Sequence, residues 1–267
     1  MITSPHNSRL QLARTLLGRP KERQEAGAFV AEGVRLVEEA LAVRWPFRFV
    51  LYSAELGERG RALMAGLKAQ GVEIEEVEPR LLQGVSATET SQGILAVLAL
   101  APLSIPDHLD FVLIPDQVRD PGNLGTLLRT AVAAGVQAVL LPPETVDAFS
   151  PKVVRAGMGA HFRLPIHPLP WNKIRARTRG LKVYLAEIDS AVACWQADFR
   201  APLALIVGGE AEGAGETARR LADKAVNIPM PGNAESLNAA VAGAILLFEV
   251  VRQRGGRAQN RLDEGRG

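Results

Sequence analysis

The segment Ala239–Val251, AAVAGAILLFEVV, constrains the fold of this chain more than any other stretch. It is helical in length and apolar almost all round, with Glu249 its single charged residue. A helix without a polar face belongs inside a core, so the chain must supply layers on more than one side of it. Arg252 and Arg254 suit the negative end of its dipole, and Gly255 and Gly256 can stop it. Its approach, IPMPGNAESLN (Ile228–Asn238), breaks at Pro229, Pro231 and Gly232 and crowds Asn233, Glu235, Ser236 and Asn238 at the helix entrance. A first turn of that kind offers backbone N–H groups, a hydroxyl and an amide to a polar or negative ligand group. Ser236 and Asn238 read equally well as helix caps.

The core this helix needs is within reach of a 267-residue chain, which is long enough for two domains or one large one. Hydrophobic residues at 47% and charged residues at 22% are ordinary for a globular protein. No apolar run is long enough to span a membrane, and the N-terminus does not read as a signal peptide. The single cysteine, Cys194, excludes an intramolecular disulfide framework and fits a reducing cytoplasm. His6, His108, His161 and His167 form no ligand-spaced cluster with it, so no metal is expected.

Net charge is only +2, but it is segregated. Between Asp147 and Glu187 no acidic residue occurs, while Lys152, Arg155, Arg163, Lys173, Arg175, Arg177, Arg179 and Lys182 do, with Trp171 among them. The N-terminal arm adds Arg9, Arg14, Arg19, Lys21 and Arg23 against Glu22. Two acid-poor basic blocks are the footprint of a polyanion binder, although a solvated face reads the same way.

Along the chain, a short basic helix (about Asn7–Leu17) precedes an alternation of strand and helix periods. Phe29–Gly33, Arg48–Ser53, Val72–Val77 and Gly93–Leu100 read as strands, and Val34–Val43 and Arg59–Gln70 as helices. This predicts a small α/β domain over 1–100, closed by a Pro-containing linker over 101–110. A second domain over 111–255 opens with the near-continuous apolar strand Phe111–Pro115, typical of a buried parallel sheet. Val136–Pro142, Leu181–Ile188, Pro202–Gly209 and Ala225–Met230 are its further strands, and Leu124–Ala134 its first helix. A parallel sheet of about five strands with helices on both faces follows. Residues 256–267, polar and Gly-rich, read as a disordered tail.

Ligands of open parallel sheets sit beyond the carboxyl ends of the strands. Three loops leave strands in that direction: Asp116–Arg129 (DQVRDPGNLGTLLR), Gly208–Gly215 (GGEAEGAG) and Ile228–Asn238. The glycine spacing of the second is not that of a dinucleotide fingerprint, and no P-loop motif exists. Asn123 reads as a helix cap or a site residue. Arg129, among Leu127, Leu128 and Ala131, reads as a solvated helical cation or as one facing a cleft or partner.

Taken together, the three loops resemble the signature motifs of the SpoU (TrmH-like) branch of the SPOUT methyltransferases, enzymes that methylate the ribose 2′-hydroxyl of transfer or ribosomal RNA with S-adenosylmethionine. The first motif is similar to Asn123-Leu124-Gly125 followed by Arg129-Thr130-Ala131, the second to Leu205–Gly213, the third to Ile228–Ala242. The resemblance extends to Ile2–Leu17, Ser86–Val97 and Ser150–Ile166, and so covers nearly the whole chain. Two departures stand out: Gly209, where many members carry Asn, and Gly157, where Ser is common.

The resemblance implies a small α/β RNA-binding domain followed by a parallel-sheet SPOUT domain with a trefoil knot, a feature that physical reading of a sequence would not propose. It implies a homodimer whose active sites draw on both chains. It also implies that Val207, Gly208, Gly209, Ile228, Met230 and Leu237 hold S-adenosylmethionine, and that Arg129, Asn123, Glu210, Ser236 and Asn238 orient the catalytic groups and substrate. RNA phosphates would be tracked by Arg9 and Arg14 in the arm and by Lys152, Arg155, Lys173, Arg175, Arg177 and Arg179 in the basic block. Two other readings of the residues stay open: an RNA-binding protein without catalysis, and a nucleotide-cofactor enzyme such as a dehydrogenase, which the missing fingerprint and the basic blocks oppose.

Overall fold

The computed structural model describes residues 1–86, 91–210, 212–232 and 235–255. The expected tail over 256–267, Asn233 at the helix entrance, and 87–90 of the family-like stretch Ser86–Val97 lie outside the described residues. The chain divides into two compact units: Met1–Pro102 with Asp147–Phe162, and Leu103–Val146 with the chain from Arg163 onward.

The first unit holds helices α1 (Ser8–Leu17), α2 (Pro20–Ala26), α3 (Val34–Ala42), α4 (Glu58–Ala69) and α5 (Pro79–Gln83), with strands β1 (Ala28–Glu32), β2 (Phe47–Tyr52), β3 (Ile74–Glu76) and β4 (Ile94–Ala99). The strands lie in the order β1-β4-β2-β3, with β4 antiparallel to both neighbours and β3 parallel to β2. All four strands stand within two residues or so of the runs that predicted them; β1 and β4 are buried along nearly their whole length, while β3 is half-buried throughout. Leu10, Ala13 and Leu16, on one side of α1, pack on Val30, Phe49, Leu51, Leu95 and Val97 of that sheet. Helix α1 is capped by Asn7, whose side chain accepts from the Arg9 N–H at 2.9 Å.

Packing groups Asp147–Phe162 with this unit, whereas the expected boundaries assign it to 111–255. An aromatic cluster and an ion pair account for the grouping. Phe149 meets Phe29 edge-on at 5.2 Å, and Phe162 lies 5.3 Å from Trp45. Arg23, only 2% exposed, pairs with Asp147 through Nη2 at 2.6 Å and donates to the Leu16 and Gly18 carbonyls at 2.7 and 2.9 Å. A buried guanidinium with its donors satisfied is a structural staple. Arg23 belongs to the basic arm by sequence, but it is not offered to solvent. Helix α7 (Pro151–Gly157) in this segment packs on β1.

The second unit is a six-stranded parallel sheet in the order β10-β8-β9-β5-β6-β7. Its strands are β5 (Phe111–Asp116), β6 (Ala138–Leu141), β7 (Ile166–Pro168), β8 (Lys182–Ala186), β9 (Leu203–Gly208) and β10 (Lys224–Val226). Every residue of β5 is buried, as its unbroken apolar run requires of a central strand. The strand absent from the sequence reading is β7, an edge element of three residues that follows Pro165, ends in Pro168 and shows no apolar run. Part of the expected linker also belongs here, since Ile105 and Leu109 pack on the core of this unit.

Alternation along the strands sorts the helices. Val112, Ile114, Ala204 and Ile206 share a face with Ile174 of α8 (Trp171–Arg177) and Ala218 of α9 (Glu216–Leu221). Helix α10 (Ala239–Arg254) packs instead on α6 (Pro121–Ala133) and β9. Gly243 permits this, because a Cβ there would run into the Leu127 side chain of α6 and stand 3.6 Å from Val207 of β9.

The expectation that α10 is buried on every side is corrected. Ala239, Ala240, Gly243, Leu246, Leu247 and Val250 are buried, but Val241 and Phe248 are each 48% exposed. Seven residues apart, they lie on one helical stripe. The lone charge, Glu249, is the buried member: Arg252 donates to both its carboxylate oxygens at 2.8 Å and Gln253 Nε2 to one of them at 2.8 Å. Those bonds hold the Glu249 carboxyl below its ordinary range despite burial.

Candidate functional site

The three loops singled out in the sequence converge within the second unit, at the carboxyl ends of β5, β9 and β10. Helix α6 begins at Pro121, earlier than expected, because Asp120 is its cap: the Asp120 carboxylate accepts from the Asn123 N–H at 2.8 Å. Asn123 is thereby relieved of capping with its own side chain. Its Nδ2 donates to Glu210 Oε1 at 2.6 Å, and its Oδ1 accepts from Asn238 Nδ2 at 2.9 Å. Asn238 meanwhile caps α10, its Oδ1 accepting from the Ala240 and Val241 N–H groups at 2.9 and 3.2 Å. Capping and site chemistry are therefore both true of Asn238, one for each end of its amide. One chain of hydrogen bonds, Asn238 to Asn123 to Glu210, joins the three loops and fixes the orientation of both amides.

Beside this chain lies a cleft of about 410 Å³, within the ~300–1,000 Å³ typical of small-molecule sites. Val207, Gly208, Gly209, Ile228, Met230 and Leu237, all six expected cofactor residues, line it, together with Glu210 and Ser236. The sequence reading missed the wall formed by Glu187, Ile188 and Asp189, which follow β8, and by Arg219 and Asn227. Arg219 Nη1 pairs with Glu187 at 2.5 Å, and Asn227 Nδ2 donates to the Ser190 carbonyl at 2.8 Å. The strand-end rule applied to β8 would have found Glu187.

Gly208 and Gly209 owe their identity to backbone crowding. A Cβ on Gly208 would collide with the Ala214 N, and one on Gly209 with the Gln117 carbonyl oxygen. The departure at Gly209 thus has a physical reason in this chain: no side chain fits where its loop meets Gln117. At the other departure, a Cβ on Gly157 would stand 3.2 Å from Nδ1 of His161. His161 is buried, its Nε2 is 2.7 Å from the Ala148 carbonyl, and burial pulls its pKa down to about 4.

Arg129 is not brought to the cleft. It is exposed on α6 and makes no hydrogen bond or ion pair among the described residues. The expected RNA-binding residues fall into two sets. In the first unit, Arg14 and Lys152 are exposed and Arg155 is half-buried, while Arg9 is engaged by Glu73 and, at 3.3 Å, by Glu75. In the second unit, Lys173, Arg175, Arg177 and Arg179 are exposed on α8 and the turn after it, with Ile174 directed inward. No group of residues that could hold a metal ion occurs among the described residues, and no helix among them is long and apolar enough to cross a membrane.

Comparison with known proteins bears on this geometry. Residues 7–96 match the MRM3-like substrate binding domain, and residues 110–248 match the SpoU rRNA Methylase family. The chain is 34% identical to a 23S rRNA (uridine(2479)-2′-O)-methyltransferase of Streptomyces viridochromogenes, over 95% of this chain and 92% of that one. It is 35% identical to the 23S rRNA (guanosine(2553)-2′-O)-methyltransferase RlmP of Bacillus subtilis, over 86% and 91%. The crystal structure of an AdoMet-bound rRNA methyltransferase from Sinorhizobium meliloti superposes with a TM-score of 0.83 at 31% identity, covering 94% of this chain and 97% of that one. The fold is therefore that of the SPOUT methyltransferases, and the chain belongs to the SpoU rRNA methylase family.

Proposed function

We infer that this chain transfers a methyl group from S-adenosylmethionine to a ribose 2′-hydroxyl of ribosomal RNA. The observation that carries the reading is the hydrogen-bonded chain Asn238–Asn123–Glu210 beside the 410 Å³ cleft. The cleft suits the cofactor. Val207, Ile228, Met230, Leu237 and Leu246 offer an apolar wall for a heterocycle, and Glu187, Asp189, Glu210 and Glu212 offer carboxylates for hydroxyls and a cationic sulfur. When bound, the cofactor supplies an electrophilic methyl on a sulfonium. Asn123, Glu210, Ser236 and Asn238 hold the ribose in line with it, and orientation of that kind contributes up to about 7–11 kcal/mol in favourable cases. Ribosomal RNA is favoured over transfer RNA by the names of the relatives.

Arg129 stabilises the developing alkoxide and anchors the neighbouring phosphate. A guanidinium carries hydrogen-bond donors and no acceptor, so Arg129 is not the base, and the proton leaves to a neighbour or to water. Because Arg129 points to solvent in its own chain, it serves the cleft of a second copy in a homodimer. The exposed apolar pair Val241 and Phe248 on α10 gives such a dimer its interface. A trefoil knot in the second unit, a cytoplasmic setting, an RNA-binding role for 1–100 and phosphate binding by the exposed α8 cations complete the proposal. Calorimetry with S-adenosylmethionine in the presence of a chelator, followed by methyl mapping on total RNA from cells with and without the protein, tests it. Absence of binding, or an unchanged methylation map, would overturn the reading; a methyl missing from transfer RNA instead would redirect it.

A further inference from the structure

The loop that carries Glu210 is closed at both ends on one residue outside the three motifs. At its start, Gly208 pairs in register with Asp116, the last residue of the central strand β5. At its finish, the Gly215 N–H donates to Asp116 Oδ2 at 2.7 Å. Between them the Gly209 N–H donates to the Gly213 carbonyl at 3.2 Å, drawing the two described arms together. Gln117 presses on the same loop. It holds a left-handed backbone (φ 54°), its carbonyl occupies the place of any Gly209 side chain, and its Nε2 would be 2.8 Å from a Cβ on Gly215. A non-glycine residue in that conformation is uncommon and persists where its surroundings impose it.

We propose that Asp116 is a positioning residue of the methyl-transfer site, acting through the glycine loop to fix Glu210 and that loop's share of the cofactor cleft. The proposal rests on the reading of the cleft given above. A carboxylate is a costly choice for a position only 2% exposed, and an aliphatic residue would continue the apolar run of β5. What an aliphatic residue cannot supply is the acceptor for Gly215. Burial raises the Asp116 carboxyl above its ordinary range, against the lowering effect of the Gly215 N–H, and the contact that the loop makes is to a single acceptor oxygen. An amide oxygen at the same place does the same work.

Amide hydrogen exchange and cofactor calorimetry on the full chain test this, using Asp116→Ala and Asp116→Asn. In Asp116→Ala the Gly215 amide is expected to exchange at least tenfold faster, and S-adenosylhomocysteine to bind at least tenfold more weakly. Asp116→Asn, which keeps the acceptor, is expected to restore both to near wild type, and the KM for the cofactor to follow the same order. Equal Gly215 protection in wild type and Asp116→Ala overturns the clamp, as does equal loss of affinity in both variants. If Asp116→Ala does not fold, Gly209→Ala attacks the corner from the loop side and should lower affinity by at least tenfold; wild-type affinity there overturns the proposal. A wild-type protein that binds no cofactor sinks the methyltransferase reading instead, while the exchange of Gly215 still decides whether Asp116 clamps the loop.

Discussion

Asn123 and Arg129 lie six residues apart on one helix, and the molecule treats them in opposite ways. Asn123 is held at both ends of its amide, by Glu210 and by Asn238, on loops far away in sequence. Arg129 projects into solvent with no partner among the described residues. On the proposed function, the difference separates two kinds of site residue. One kind is preorganised within a single chain, so that its geometry is paid for in folding; the other is left free, as a group must be if it completes a site only when something else arrives. A free arginine keeps its full rotamer entropy, so leaving it unbound has a function only if a partner or substrate later fixes it.

The sharpest way to break this comparison is Arg129→Ala. The methyl-transfer rate should fall by two or more orders of magnitude, about 3 kcal/mol, with cofactor affinity unmoved in calorimetry. Mixing that chain with an Asn238→Ala chain should recover part of the activity, since a mixed dimer assembles one intact site. Full activity in the single variant would return Arg129 to the class of solvated surface cations, and loss without recovery would place its site within one chain.

Asn238→Asp probes the other side of the comparison. The substitution keeps the Oδ1 that caps α10 but removes the Nδ2 that donates to Asn123. Thermal unfolding should therefore change little, whereas Asn238→Ala should cost about 1 kcal/mol through the missing cap. Turnover should fall at least tenfold in both. If Asn238→Asp turns over like the wild type, the amide is a cap and nothing more.

A smaller effect belongs to the cations of α8. Replacing Arg175, Arg177 and Arg179 with alanine should flatten the salt dependence of RNA binding, by up to ~0.9 in the log–log slope for each duplex phosphate no longer neutralised. An unchanged slope would mark α8 as a solvated face.

The smallest effect concerns Asp116. Its carboxyl is raised in the folded chain, so ionising it opposes folding. The opposition is absent below the ordinary carboxylate range and grows as pH rises through the raised value. Asp116→Asn should accordingly be slightly more stable than wild type at neutral pH and lose that advantage in acid. Chemical denaturation across pH would show it, and an advantage that grows toward low pH would contradict the sign.

Much of the second unit was legible in its apolar runs. Phe111–Pro115 and Pro202–Gly209 read as strands because near-continuous apolar runs of that length suit a buried parallel sheet, and the strands stand at Phe111–Asp116 and Leu203–Gly208. The Ile166–Pro168 strand did not, since three residues ending in a proline carry no period. The loops that line the cleft were marked by family resemblance, whereas Glu187 and Arg219 belong to no motif; the strand-end rule reaches Glu187, but only folding brings Arg219 to the same wall. Asp147–Phe162 joins the first unit through Arg23, an ion pair between residues 124 positions apart that no local pattern announces.

Helix α10 shows where the division falls. Its helicity and its end near Arg254 were settled by sequence, because apolar residues at helical length and a terminal pair of glycines act through neighbours in the chain. Which of its faces is covered was settled only by tertiary structure. Gly243 against Leu127 lets one side approach α6, and that choice of side leaves Glu249 buried, bonded to the exposed Arg252 and to Gln253, and turns Val241 and Phe248 outward. Local sequence sets the backbone, since its hydrogen bonds close within a few residues. Burial depends on which distant surface arrives, and a helix apolar all round leaves that choice to packing.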